Sequence, residues 1–226
     1  FKCILIDTGE VIEKGEPTAA ADGRFTGEEK GDKCAVKRFR DIKSADGDPD
    51  HSGIEFCLDN GIMTGTGNDT FCPDTTITRA QFATMFYRLA GSPEASENSK
   101  FSDLTQDWYK KPIAWAAANG VLNGTGDTTF SPDDVITREQ IAAIFYRYAK
   151  SRGIDVSEVS SGLDSYNDYD EIADYAKVPV VWCFNENVMF IHSVNGYEYA
   201  IYPKVAPTRA DTATMFWKFS YVLNNN

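Results

Sequence analysis

At 226 residues the chain is long enough for one well-buried domain of ordinary size, or for several small repeats around a shared core. Its 34 acidic against 22 basic residues give a net charge of −12, a field that repels a phosphate backbone and argues against nucleic acid as a partner. A hydrophobic content of 42% and a charged content of 25% are those of a soluble globular protein, and no apolar run approaches the roughly 18 residues of a membrane helix, so no membrane partner is expected.

The opening Phe1-Lys2-Cys3-Ile4 has neither the charged start nor the apolar stretch of a signal peptide, and the chain reads as a processed protein or a piece of a larger one. Residues 1–38 form a lead-in of unknown role, irregular apart from a short β-like stretch at Cys3-Ile4-Leu5-Ile6. From residue 39 onward the chain repeats itself. Gly61 through Asp74 recur as Gly120 through Asp133 at an offset of 59, which continues through Ile77-Thr78-Arg79 and Ile136-Thr137-Arg138 to Phe86-Tyr87-Arg88 and Phe145-Tyr146-Arg147. Copy one spans 39–91 and carries the acidic insertion Asp46-Gly47-Asp48-Pro49-Asp50. Its acids resemble a calcium loop, but His51 and Gly53 stand where an EF-hand needs Gly and Ile, so it reads as a solvated turn. Copy two spans 101–150, after the polar linker Gly91–Ser99. Its first helix is expected from about Trp108 to Asn119 with Gly120 at the C-terminal cap, and its second opens at Thr137 with Ile141, Ile144, Phe145 and Tyr148 on one stripe. Copy three, 166–223, is worn. It keeps Pro207-Thr208-Arg209 and Met215-Phe216-Trp217-Lys218 at an offset of 71 from copy two, but it has lost the Gly-Thr-Gly segment. One helix pair cannot bury its own stripe, whereas three packed about a common axis can.

Each Thr-Arg pair carries a capping signal. Thr78 with Gln81, Thr137 with Gln140 and Thr208 with Asp211 have the spacing of a capping box. Capping explains the threonine but not the arginine, because a cation in the first turn opposes the helix macrodipole. Two reasons for Arg79, Arg138 and Arg209 stay open: a planar fork gripping a ligand carboxylate, or an ion pair to the repeat's own Asp41, Asp103 or Asp168. The loops at Gly65, Gly67, Gly124 and Gly126 lack the following Lys-Ser/Thr of a phosphate-binding loop, which leaves sugar contacts or a plain tight turn. Trp108 could stack on a sugar or lie in the core, and copies one and three have Pro49 and Tyr175 at its position.

Copy two, from Phe101-Ser102-Asp103 through Trp108, Ile113, Ala117, Gly120, Gly124, Gly126, Phe130 and Pro132 to Ile136-Thr137-Arg138-Glu139, closely resembles an S-layer homology domain; copy one resembles it well and copy three in part. The resemblance implies a mainly α fold of three helix-loop-helix repeats in a pseudo-threefold prism, with ligand grooves between adjacent repeats. It implies an extracellular, non-catalytic anchor in the cell wall or S-layer of a bacterium, binding secondary cell-wall polysaccharide that often carries pyruvate ketals. The ligand-binding residues it implies are Arg79, Arg138 and Arg209, with Thr78 and Thr137, the aspartates Asp41, Asp103 and Asp168, Trp108, and the glycines Gly65, Gly67, Gly124 and Gly126. Arg138 is expected to matter more for binding than Arg209, because the third groove has lost its glycines.

No cofactor or metal is expected, since the five cysteines show no Cys/His spacing typical of zinc. Cys3 with Cys34 and Cys57 with Cys72 are the first disulfides to consider. Neither His51 nor His192 lies near a recognised nucleophile motif, so catalysis is not expected. The competing reading is a protein–protein or self-assembly module with other envelope proteins as partners, prompted by the worn third copy and an unpaired Cys183.

Overall fold

The computed structural model describes residues 34–225 apart from 45–47, 68, 158–161 and 195–197, with the side chains of 192–199 also left undescribed. The expected strand at residues 3–6 lies outside them. What is described of the lead-in is a 3-10 turn, Ala35–Arg38, where irregular chain was expected, and its Val36 is buried against the first repeat. Six helices follow: α1 (Pro49–Asp59), α2 (Arg79–Leu89), α3 (Asp107–Ala118), α4 (Arg138–Ser151), α5 (Lys177–Asn185) and α6 (Arg209–Asn224). In copy three, where the glycines are missing, the chain forms a hairpin of β1 (His192–Val194) and β2 (Glu198–Ala200), with His192 paired to Ala200. The fold is thus mainly α, in helix-loop-helix units. No helix among the described residues is long and apolar enough to cross a membrane.

The helix boundaries follow the sequence signals. The three capping boxes form: Thr78, Thr137 and Thr208 accept from the amides of Gln81, Gln140 and Asp211, whose side chains accept in return from the threonine amides. Gly120, at φ +66°, ends α3 with the paired bonds Val121 N–H to Ala116 carbonyl and Gly120 N–H to Ala117 carbonyl. Gly61 does the same for α1, and after α5 Asn187 takes the left-handed position at φ +56°. Asparagine tolerates that conformation better than other residues with a Cβ, so α5 has the same helix stop without a glycine.

Packing runs from each unit to the next. The second helix of one copy lies on the first helix of the following copy, α2 on α3 and α4 on α5, and α6 returns to α1. Tyr87 meets Trp115 edge-on at 5.6 Å, and Tyr146 meets Trp182 at 5.7 Å. The α6–α1 contact is the tightest kind: a Cβ on Gly53 would stand 2.6 Å from the backbone of Thr214, so the two helices touch through their main chains. Phe82, Phe145 and Phe216, one from each second helix, meet at centroid distances of 5.3–5.9 Å, and Phe219 stacks on Phe145 at 4.3 Å. All four are fully buried, each worth about 1.5–3 kcal/mol in transfer from water. This shared centre is what no single repeat could build.

Candidate functional site: the grooves between repeats

The three arginines are buried, at 6%, 1% and 6% exposure for Arg79, Arg138 and Arg209, and each reaches out of its own repeat into the next. Arg79 Nε donates to the Phe130 carbonyl at 2.9 Å and its Nη2 to that of Asn123 at 2.8 Å. Arg138 makes the same pair of bonds to Ile201 (2.9 Å) and Phe190 (2.6 Å). Arg209 makes them to Phe71 (2.9 Å) and Thr64 (2.9 Å), which closes the circle from copy three to copy one. Each guanidinium also lies over the ring of a residue it holds, with Arg79 4.8 Å from the Phe130 centroid, Arg209 4.6 Å from that of Phe71 and Arg138 5.7 Å from that of Phe190. Burial lowers the pKa of Arg79, and it brings Arg138 down to about 10, so both stay charged at neutral pH.

The aspartates grip the same loops from the other side. Asp41 accepts from the amides of Phe71 and Cys72, Asp103 from those of Phe130 and Ser131, and Asp168 from those of Ile201 and Tyr202. In each case the bond to the second amide is 2.7 Å, and that second residue is a non-glycine in the left-handed region: Cys72 at φ +56°, Ser131 at +57°, Tyr202 at +53°. A charge-assisted bond at each position offsets the local backbone cost of about 1 kcal/mol or more. Arg79 itself bonds to no carboxylate. In place of an ion pair between this arginine and its own aspartate, one of the two open alternatives, there is a shared loop held by an arginine from one repeat and an aspartate from the next.

This geometry shows which copies each arginine joins. Arg209 belongs with the glycines of copy one: a cleft is lined by Thr64, Gly65, Thr66, Arg88 and Arg209. Arg79 belongs with the glycines of copy two. Arg138 is the arginine that faces the hairpin copy, where no glycine loop remains. The loops are also tighter than a ligand platform needs to be. A Cβ on Gly65 or Gly124 would stand 2.5 or 2.4 Å from the ring of Phe39 or Phe101, while Gly126 has ordinary space and Gly67 sits at φ +147°.

A second ring of cations escaped the motif reading, although the repeat had displayed it: Arg88, Arg147 and Lys218 occupy equivalent positions on α2, α4 and α6. Arg147 donates through Nη2 to the Val121 carbonyl at 2.9 Å, while its buried Nε has no hydrogen-bond partner. Burial lowers its pKa, and it lies close enough to Arg79 for the two to repel. Asp134, Tyr175 and Asp103 act on Arg79 in the opposite sense. Tyr175, from copy three, thus lies near enough to Arg79 from copy one and Arg147 from copy two to act on both. Burial and the neighbouring Glu139, to which its hydroxyl donates at 3.3 Å, raise its pKa to about 12. Trp108 is half-buried, edge-on to Tyr109 at 4.8 Å.

The two expected disulfide pairings fail, while Cys183 is unpaired as expected. Cys34, Cys57 and Cys183 are free, buried thiols, and Cys72 is disulfide-bonded but not to Cys57. Cys183 is wholly inaccessible and burial raises its pKa, so it offers no thiol for linking chains. Asp48, from the acidic turn, caps α1 by accepting from the Asp50 amide at 2.9 Å.

The S-layer homology domain profile matches residues 38–83 and 100–142. Among similar proteins, the exoglucanase XynX of Acetivibrio thermocellus is 32% identical over 76% of this chain, which spans 15% of that protein. The surface-layer 125 kDa protein of Lysinibacillus sphaericus is 29% identical over 72% of the chain and 13% of its own length. A cellulosome-anchoring protein of A. thermocellus is 32% identical over 42% of the chain and 22% of its own length. The chain therefore carries S-layer homology domains, in two matched copies. It is a cell-surface anchoring module, extracellular and associated with the bacterial cell wall.

Proposed function

We propose that the module anchors its parent protein by binding secondary cell-wall polysaccharide, pyruvylated or otherwise anionic, in the grooves where repeats meet. The observation that carries this reading is the pair Arg79 and Arg147, two partly desolvated guanidiniums in one groove with no carboxylate bonded to either. Burying two like charges side by side is costly unless an anion joins them, and a carboxylate matches the fork of a guanidinium. An acidic protein presenting such a pair can select an anionic glycan against its own overall field. Residues 166–223 serve as a third, worn repeat whose Arg209 and Tyr175 complete the grooves of the other two. By the repeat symmetry, Trp108 stands in the Arg209 groove where Tyr175 stands in the Arg79 groove, and Pro49 stands in the Arg138 groove. Two grooves thus have an arginine, a glycine loop, a second guanidinium and an aromatic, and the Arg138 groove does not. The chain is an anchor without catalysis of its own, and the wall glycan is its partner.

Binding of the purified chain to cell-wall sacculi, before and after the wall polysaccharide is stripped with mild acid, tests the proposal. Binding is expected to fall with stripping and to be competed by a pyruvylated wall disaccharide. Equal binding to both preparations would overturn it.

A further inference from the structure

Cys34, His51 and Glu55 are all buried, at 8%, 6% and 7% exposure, and one donor atom from each lies within 4.8 Å of the other two. They come from two places: Cys34 precedes the first repeat, while His51 and Glu55 sit one turn apart on α1 and so share a face. We propose that these three side chains form a site for a thiophilic divalent cation, zinc by its donor set, that ties the lead-in to the first helix of the repeats. The site does not depend on the glycan reading and stands apart from the three grooves.

Three observations support the assignment. Cys34 Sγ lies 3.3 Å from His51 Nε2. Zinc bonds of about 2.3 Å to sulfur and 2.0–2.1 Å to nitrogen, meeting at a tetrahedral angle, place those atoms about 3.6 Å apart, so a small adjustment admits the ion. On the other side of the ring, His51 Nδ1 lies 3.1 Å from the Ser44 carbonyl. A carbonyl can only accept, so this contact fixes the proton on Nδ1 and leaves the Nε2 lone pair turned toward the sulfur. Metal-binding histidines are oriented in this way. The third observation is Glu55, whose carboxylate lies within 4.8 Å of both other donors, so that a dication there would balance a thiolate and a carboxylate. Binding would displace the thiol proton to solvent, and water would fill the fourth position. Sulfur and nitrogen donors disfavour calcium and magnesium.

The test is a cobalt(II) titration of the whole chain after treatment with chelator. The expected result is one equivalent bound, with a near-ultraviolet thiolate-to-cobalt band and the visible bands of a tetrahedral ion, both displaced by zinc. Cys34→Ser should abolish the thiolate band. His51→Ala should weaken binding by more than the roughly 10- to 100-fold that loss of an outer hydrogen-bond partner costs. Zinc should raise the thermal midpoint of the parent chain but not of Cys34→Ser, and its affinity should rise with pH. If either variant fails to fold by circular dichroism, the parent titration decides alone. Absence of the thiolate band in the parent, or its survival in a folded Cys34→Ser chain, would overturn the proposal.

Discussion

Arg209 donates from Nε to the carbonyl of Phe71, 138 residues earlier in the chain, and so fastens the last helix to the first repeat's loop. Arg79 and Arg138 make the matching links onward through the other copies, which gives the arginines a structural part whatever they bind. Replacing Arg209 with Met should cost about 2–4 kcal/mol, since two buried carbonyls lose charged donors. Lys should recover little, because a single ammonium cannot reproduce the fork that spans Phe71 and Thr64. Urea unfolding monitored by circular dichroism gives the comparison, and equal stability of all three chains would refute the closing role.

Separating binding from folding therefore needs the other cations. Arg147→Gln removes one Val121 contact, worth about 1 kcal/mol, while relieving the repulsion on Arg79. It should fold nearly as well as the parent chain and bind pyruvylated wall glycan about tenfold more weakly, a loss of about 1.4 kcal/mol. Arg88→Gln should behave alike in the Arg209 groove. Lys218→Gln, on the hairpin side, should leave affinity unchanged. Calorimetry of the three variants checks the order, and a larger effect from Lys218 would show that the hairpin groove is the competent one.

Much of this architecture was legible in the sequence because it is local. Capping boxes, the Gly120 stop and the apolar stripes are set within a few residues of each other, so Thr137 and Gln140 announce α4 without help from the rest of the chain. Which copies each arginine joins was not legible. Arg209 was grouped with its own copy because a repeat pattern displays equivalence, whereas contact runs from each copy to the next. Arg88 and Arg147 were visible as repeated residues, yet nothing in their spacing reveals that an arginine from another copy faces them. The Cys34–His51 pairing, 17 residues apart, has no motif spacing at all, and Cys57 with Cys72 had only proximity in sequence to recommend it.

Glycine loops that hold structure should respond differently from loops that face ligand. Gly124→Ala would drive a Cβ against the Phe101 ring and the Thr129 carbonyl, both at 2.4 Å, and should cost about 1–3 kcal/mol or more. Gly65→Ala should cost a similar amount against Phe39. At Gly126 the nearest atom to a new Cβ is 3.4 Å away, so Ala there should be tolerated in folding, and any loss of glycan binding would then be direct. Thermal unfolding of the three variants gives the order, and equal midpoints would show that the loops yield.

The aspartates should appear in the acid limb of stability. Burial pushes the Asp103 carboxyl upward, but the Phe130 and Ser131 amides outweigh it and hold the pKa below the ordinary 3.8. A group depressed in the folded state contributes stability that is fully present above its unfolded pKa and lost as pH falls through the folded value. The contribution should thus be intact at pH 5 and above, begin to fall near pH 3.8, and be gone at pH well below the folded pKa. Asp103→Asn keeps the shape but offers one neutral acceptor, and Ser131 at φ +57° then loses its 2.7 Å charged partner. The variant should be about 1–3 kcal/mol less stable at pH 7, and the gap to the parent should close as pH falls below 3.8. Unfolding free energies measured from pH 7 down to 2.5 would show it. A gap that stayed constant across that range would mean that the carboxylate charge is not what holds the loop.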